Sequence, residues 1–398
     1  MTTALRTLEG VPLEGRKALV RVDFNVPMKN GKITDDSRIR AHLETINALR
    51  DSGASVILIS HLGRPSGKVD LAFSLKPVAD ALSLEYGLDA GFAPDCVGRE
   101  VGELINNMKP KDVLLLENAR FHPEEESNDP SFAKRMAEPF DFFVMDAFSA
   151  AHRAHASTEG VTAWLPSYAG RVMEKEVSVL STVRENPGKP LVLIMGGAKV
   201  SDKIGIIRYM IDRTDSILVG GAMSFPFLKA MGMNIGTSYC EKGTEDRALE
   251  ILELAEKAGA TINLPEDVIV SDSMENSRNS ICVSVSSIPE GMMGLDIGPE
   301  TIKKFSETVL GANTLLWNGP MGVFETFPFD NGTRILGESV IKATSKGTLS
   351  VLGGGDTAAA AKTLGFSAGI SHISTGGGAT LEFFEGRNLP GIRPLEIS

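Results

Sequence analysis

The strongest constraint on this chain is a pair of patterns that recurs along it: a short apolar run, then a longer amphipathic stretch. In the first half the runs are KALVRVDF (17–24), SVILIS (55–60), DVLLLE (112–117) and DFFVMD (141–146). In the second they are LVLIM (191–195), SILVG (216–220), NTLLW (313–317), LSVLG (349–353) and HIST (372–375). They are rich in Val, Ile, Leu and Phe without strict alternation, as strands buried on both faces of a parallel sheet are. Between them lie helical patterns. SRIRAHLETINALRDSG (37–53) sets Ile39, Leu43, Ile46 and Leu49 near helical spacing, with Gly53 as a stop. Helices are also expected over 201–213, 245–258, 299–310 and 356–364. The expected class is α/β: two doubly wound parallel-sheet (Rossmann-like) domains.

A chain of 398 residues suits two domains better than one. Between the halves, RVMEKEVSVLSTVRENPGKP (171–190) places Val172, Glu176, Val179 and Val183 on one helical face, and Pro187-Gly188 closes it. A flexible linker would be richer in Gly and Ser, so this segment reads as a hinge helix. The expected domains are 1–170, a connecting helix over 171–187, and 188–380. Net charge is −11 and both halves are acidic, which argues against general binding of nucleic acid or acidic membrane. Cys96, Cys240 and Cys282 are far apart with no CxxC pair, which suits a reducing compartment and no disulfide framework. The N-terminus lacks a secretory apolar core, and no apolar run approaches a bilayer span. A cytoplasmic protein is expected.

In open α/β sheets ligands bind at the carboxyl ends of the strands, so the residues after each run carry the functional signal. RVDFNVP delivers Asp23, Phe24 and Asn25. HLGRP delivers His61, Leu62, Gly63 and Arg64. ENARF delivers Arg120, and AHRAH delivers His152 and Arg153. Arg38 stands at the start of the helix after the first strand. One such loop is an ordinary solvated surface; four in register form a receptor for a small, multiply charged anion, because arginine forks match phosphate and carboxylate. His61 and His152 read equally well as donors or as structural histidines. His42, His122, His155 and His372 read as structural.

The second half changes vocabulary. Its strands are followed by MGGAKVSDK (195–203), VGGAMS (219–224), NGPMGVFE (318–325), LGGGDTAAA (352–360) and STGGGATLE (374–382). Glycine lets backbone approach a ligand closely, and a Gly-rich turn entering a helix aims N–H groups at phosphate. Gly197, Gly220, Gly354, Gly355, Gly377 and Gly378 belong to such turns. Lys199 and Lys203 stand at helical spacing, where both could face one phosphate chain. Asp356 or Thr357 is expected as the N-cap of the helix that follows GGG, with Asp356 also able to hold Mg²⁺. Glu325 could accept from ribose hydroxyls. Neither GxxxxGK[ST] nor GxGxxG occurs, so a nucleotide would be held by several loops.

RVDFNVP, DDSRI, HLGRP, ENARF, AHRAH, GGAKVSDKI, WNGPMGVFE, GGGDT and STGGGA, in this order and over essentially the whole chain, resemble the phosphoglycerate kinase family. The resemblance implies reversible transfer of the acyl phosphate of 1,3-bisphosphoglycerate to Mg-ADP, giving 3-phosphoglycerate and ATP. It implies that Asp23, Asn25, Arg38, His61, Arg64, Arg120 and Arg153 bind the phosphoglycerate. Lys199, Lys203, Gly294, Glu325 and Gly354 to Thr357 would bind the nucleotide, with Asp356 toward Mg²⁺. Arg38 and Lys203 would flank the transferring group, helped by the N–H groups of Gly377 and Gly378. The resemblance further implies a monomer whose final segment, 381–398, returns to the N-terminal domain. One departure stands out: Ser149-Ala150 replaces the Gly-Thr usual before AHRAH. The rival readings are a two-domain dehydrogenase, weakened by the missing GxGxxG, and a two-lobed anion-binding protein without catalysis.

Overall fold

The fold was taken from a computed structural model, which describes residues 4–275 and 277–397. Residues 1–3 and 398, at the extremes of the predicted terminal segments, lie outside them. The chain divides into two compact units, Met1–Ser178 with Asn388–Ser398, and Val179–Arg387.

The first unit is a six-stranded parallel sheet. Its strands are β1 (Lys17–Arg21), β2 (Ser55–Ile59), β3 (Ala90–Ala93), β4 (Val113–Leu116), β5 (Phe142–Met145) and β6 (Ser167–Ala169), in the order β3-β4-β2-β1-β5-β6. Every residue of β2, β4 and β5 is buried, which explains their continuous apolar runs. Helix α1 (Ser37–Asp51) buries Ile39, Ile46 and Leu49 against this sheet, the face predicted from spacing. The edge strands β3 and β6 were not expected. Their sequences, AGFA and SYA, are short and only partly buried, so they carry no apolar run. The first predicted run ends early, at Arg21, for a local reason. Beyond it side chains take over the backbone donors: Asp23 N–H donates to His42 Nε2 at 3.0 Å, and Phe24 N–H to Ser60 Oγ at 2.8 Å.

Helix α2 (Arg171–Glu185) follows, and the boundary between the units falls inside it. It stops two residues short of the predicted 187, ahead of Pro187. Of the C-terminal segment, Asn388–Ser398 belongs to the first unit. Leu5 and Glu396 form an antiparallel bridge, Arg6 N–H donates to Leu395 O at 2.7 Å, and Gly391 N–H to Ala151 O at 2.8 Å.

The second unit holds β7 (Leu191–Met195), α3 (Ile204–Met210), β8 (Ser216–Val219), α4 (Glu245–Ala258), β9 (Thr261–Asn263), β10 (Asp267–Ser271), β11 (Ile281–Ser284), β12 (Met293–Ile297), α5 (Pro299–Leu310), β13 (Thr314–Asn318), α6 (Asn331–Thr344), β14 (Leu349–Gly353), α7 (Gly355–Thr363), β15 (His372–Ile373) and α8 (Gly378–Phe384). Its parallel sheet runs β9-β8-β7-β13-β14-β15. A separate antiparallel sheet, β11-β10-β12, covers a small core of Phe225, Leu228, Val268 and Val270. It went unpredicted; β11 is exposed along most of its length and offers no apolar signature. Trp317 anchors the main core, stacked on Phe366 with ring centroids 5.5 Å apart. Helix 201–213 was expected to be continuous. Residues 201–203 form a turn instead, and α3 ends in a 3₁₀ turn at Ile211–Arg213. Among the described residues, no helix is long and apolar enough to cross a membrane.

Candidate active site

In the first unit the carboxyl ends of β1, β2, β4 and β5 carry the predicted cationic residues, and a buried polar layer fixes them. Asp23 lies at the centre, 4% exposed. Its Oδ2 accepts from Arg38 Nη1 at 2.6 Å and from Ser149 Oγ at 2.5 Å, while Oδ1 accepts from Asn25 N at 3.1 Å. Burial opposes its ionisation, yet His61, Arg38 and Ser149 together hold its carboxyl down at about 2. Burial and the Arg21 guanidinium push the His61 imidazole well below 6.5, so it is neutral at pH 7 and Arg38 is the cation that faces Asp23. Asn25 Oδ1 accepts from Gly63 N at 2.9 Å, and Gly63 O accepts from Arg120 Nη1 at 2.7 Å. The loops after β1, β2 and β4 are thus chained together. Arg120 also pairs with Glu126 at 3.0 Å. Arg64 is exposed, and Phe24 and Leu62 are buried beneath the loops as packing.

Ser149 and Ala150 lie in a 3₁₀ turn, Phe148–Ala150. The Ser149 hydroxyl donates to Asp23, so the residue at this departure ties the loop to the site. Arg153 Nε contacts His152 Nε2 at 3.3 Å. Burial and Arg153 push the His152 imidazole down, and burial with Arg120 takes His155 to about 4. Both rings are neutral among the arginines, so the cationic charge here is arginine charge.

Sequence reasoning missed the layer below. Arg21, fully buried in β1, bonds through Nε to Ser157 Oγ at 2.9 Å and through Nη2 to His61 Nδ1 at 3.0 Å. Ser157 in turn donates to Glu125 at 2.6 Å. Burial raises the Glu125 carboxyl and lowers the Arg21 guanidinium; each offsets the other. His42 accepts from Asp23 N at Nε2 and donates from Nδ1 to Asp146 Oδ2 at 2.7 Å, and Asp146 Oδ1 accepts from Val172 N at the start of α2. The available signal was an arginine inside an otherwise apolar run.

In the second unit the Gly-rich strand ends line two adjoining cavities. One, of about 400 Å³, is bounded by Gly197, Lys199, Lys203, Gly354, Gly355, Asp356, Thr357, Gly377 and Gly378. Lys199 and Lys203 meet there across a turn and not along a helix. Lys203 is 8% exposed; burial pushes its ammonium pKa down, while Asp202 and Asp356 oppose the shift. Neither Asp356 nor Thr357 caps α7. Gly354 does, at φ +91°, where a Cβ would also meet Asn318 Nδ2 at 2.7 Å. The Thr357 hydroxyl instead accepts from Gly319 N at 2.7 Å and donates to Gly353 O at 2.8 Å, tying two strand-end loops together. Asp356 is exposed in the first turn of α7, so its oxygens are open to a hydrated cation.

The other cavity, of about 470 Å³, is lined by Gly294, Glu325, Met293, Leu295, Val323, Phe324 and Tyr239, with Gly197 and Asp356 shared. A side chain at Gly294 would strike the Phe225 ring. Gly220 does not line either cavity. It packs on Met321 Sδ behind Gly221, which does. An apolar slot that opens on a glycine cradle with a lysine and a carboxylate suits a flat apolar ring carrying a phosphate chain.

Comparison with known proteins gives a consistent answer. A model of the phosphoglycerate kinase family matches residues 8–387. The chain is 49% identical over 390 residues to a phosphoglycerate kinase from Thermosipho africanus, covering 98% of this chain and 97% of that one. It is 50% identical over 391 residues to one from Pseudothermotoga lettingae, covering 98% of each. Among solved structures, phosphoglycerate kinase from Coxiella burnetii superposes with a TM-score of 0.91 at 40% identity, over 98% of this chain and 99% of that one. The enzyme from Pyrococcus horikoshii gives 0.82 at 31%, over 98% of each.

Proposed function

This chain belongs to the phosphoglycerate kinase family, and from that membership we propose how its residues divide the work of a reversible glycolytic phosphotransfer. The activity is that of a kinase acting on a nucleotide and a small phosphorylated acid; the dehydrogenase and the non-catalytic binding readings fall away. In the proposed division, the first unit holds 3-phosphoglycerate or 1,3-bisphosphoglycerate through Asp23, Asn25, Arg38, His61, Arg64, Arg120, His152 and Arg153. The second holds ADP or ATP. Lys199 and the turn Gly354–Thr357 take the phosphates, while Gly294 and Glu325 take the base and ribose. The chain works as a monomer in the cytoplasm, and α2 is the hinge.

The observation that carries this reading is the single cavity shared by Lys203, Asp356 and the Gly377–Gly378 backbone at the carboxyl edge of the second sheet. Phosphoryl transfer needs in-line positioning and neutralised charge more than covalent help. The nucleophile, an ADP phosphate oxygen or a carboxylate, is already ionised, so no general base is required. Arg38 and Lys203 supply positive charge on either side of the moving group, and the N–H groups of Gly377 and Gly378 point donors at its oxygens. The exposed Asp356 carboxylate fits Mg²⁺, which prefers oxygen ligands and retained waters. Bound there with the nucleotide, Mg²⁺ would neutralise charge on the phosphate chain.

The test is ATP formation from 1,3-bisphosphoglycerate and Mg-ADP by the parent and by Arg38→Ala. Turnover should fall about 10²–10³-fold, the range for losing one charge-stabilising donor, with nucleotide affinity unchanged. Equal losses in both quantities would remove Arg38 from the transferring group.

A further inference from the structure

Beyond the anion-binding loops, the outer edge of the first sheet carries a second cluster of chemistry that the phosphotransfer does not use. Asp95 and Cys96 follow the edge strand β3, and His122 follows the 3₁₀ turn after β4. One ligand atom from each of the three lies within 4.8 Å of the other two. His122 Nε2 is 2.7 Å from Asp95 Oδ1. Cys96 is a free thiol, 3% exposed. Asp95 and His122 also line a cavity of about 420 Å³ whose other walls include Phe92, Pro94 and Phe121.

We propose that Asp95, Cys96 and His122 form a binding site for a divalent transition metal of the Zn²⁺ class, its fourth position open to water from that cavity. The ligand set is one thiolate, one imidazole and one carboxylate, the mixture that borderline-soft Zn²⁺ takes. Mg²⁺ and Ca²⁺ prefer all-oxygen sites, so the nucleotide's cation would not compete well. Tetrahedral coordination at zinc–ligand distances of about 2.0–2.3 Å sets the ligand atoms about 3.3–3.6 Å apart. All three ligand atoms already lie within 4.8 Å of one another, and the metal would replace the proton between His122 Nε2 and Asp95 Oδ1, parting them from 2.7 Å. Glu117, on the same cavity, is committed to Ser74 Oγ at 2.6 Å and to the N–H groups of Leu75 and Asn118 at 2.8 Å, which leaves the fourth position to solvent.

Binding exchanges two protons for three metal bonds, with Asp95 entering as its carboxylate. The Cys96 thiol loses its S–H proton, and His122 loses the Nε2 proton it shares with Asp95. Without metal, burial pushes the Cys96 thiol up and the Asp95 hydrogen bond raises the His122 imidazole.

The test uses the full chain without nucleotide, with Co²⁺ alone as the spectroscopic probe and Zn²⁺ as competitor. Replacing the two other cysteines in a C240S/C282S background leaves Cys96 as the single thiol. One Co²⁺ per chain should bind with near-ultraviolet thiolate-to-cobalt absorption, and stoichiometric Zn²⁺ should bleach it. C96A should abolish the band, and H122N should weaken Co²⁺ binding at least about tenfold. Absence of the band in the background protein, or its survival in C96A, overturns the proposal. Should C96A fail to fold, unchanged Co²⁺ affinity in H122N overturns it as well.

Discussion

Thr357→Val isolates one hydroxyl that holds the nucleotide-side loops together. Valine keeps the shape of threonine at a site 1% exposed, so packing is preserved and only two hydrogen bonds are lost. Their partners fare differently. Gly353 O still accepts from Asn318 Nδ2 at 2.8 Å, whereas Gly319 N–H, which donates to Thr357 Oγ1, is left without an acceptor. An orphaned buried donor costs about 1–3 kcal/mol, and that is the expected loss of stability. Thr357→Ser keeps the hydroxyl and should cost only about 0.8 kcal/mol for the missing methyl.

The chain has two tryptophans, which supplies the assay. Trp164 belongs to the first unit and is 47% exposed; Trp317 is buried in the second, and its Nε1 donates to Gly319 O at 2.8 Å. In a Trp164→Phe background, urea unfolding followed by the remaining fluorescence reports the second unit beside Gly319, the donor that Thr357 accepts from. The midpoint should fall with an unchanged slope. Nucleotide affinity should fall too, because Gly319, Gly354 and Gly355 line the cavity. If Thr357→Val were as stable as Thr357→Ser within about 0.5 kcal/mol while nucleotide binding vanished, the hydroxyl would be touching ligand and not bridging loops.

Two further outcomes follow from the charged residues. Asp23 has its carboxyl lowered from 3.8 to about 2, so its stabilising contribution is present above pH about 4 and lost as pH falls through about 2. The stability difference between the parent and Asp23→Asn should therefore shrink by about 2 kcal/mol across that window in acid unfolding; a flat difference would mean Asp23 is not ion-paired in the fold. Lys203→Ala removes a buried ammonium beside Asp356 and should weaken ADP by about 10–100-fold, the size of a lost charged hydrogen bond. Calorimetric titration of 3-phosphoglycerate should be unaffected, and its loss would break the assignment of Lys203 to the nucleotide alone.

What could be read in advance depended on whether a signal was local. Buried parallel strands such as Leu191–Met195 and Leu349–Gly353 stood where their apolar runs stood, and Glu245–Ala258 and Pro299–Leu310 matched their periodicity. Reading the residues after each run brought out Arg38, Arg120, Lys203 and Asp356, because the carboxyl ends of parallel strands converge. The edge strands and β11 were not legible, since strands of three or four residues are too short to show a run. The cap of α7 was misread for a different reason. Asp and Thr are good caps by residue type, but φ +91° at Gly354 decides the geometry. The polar layer was invisible because its partners are distant in sequence: Arg21 meets Ser157 across 136 positions and His42 meets Asp146 across 104.

That hidden layer accounts for how an acidic chain can present a cationic surface. Free arginines in a cluster would repel one another and scatter into solvent. Here Asp23 holds Arg38, Glu126 holds Arg120, and the Glu125–Ser157 pair holds Arg21. Each carboxylate neutralises part of the charge at rest and fixes the direction of a guanidinium, so ordering cost is met during folding and not at binding. The second unit needs no such arrangement, because backbone N–H groups at helix starts carry only partial charge and are already oriented. A compact acid with few atoms demands charge, which side chains supply. A long phosphate chain demands many donors in sequence, which glycine turns supply. The two vocabularies first seen in the sequence are two solutions to anions of different shape.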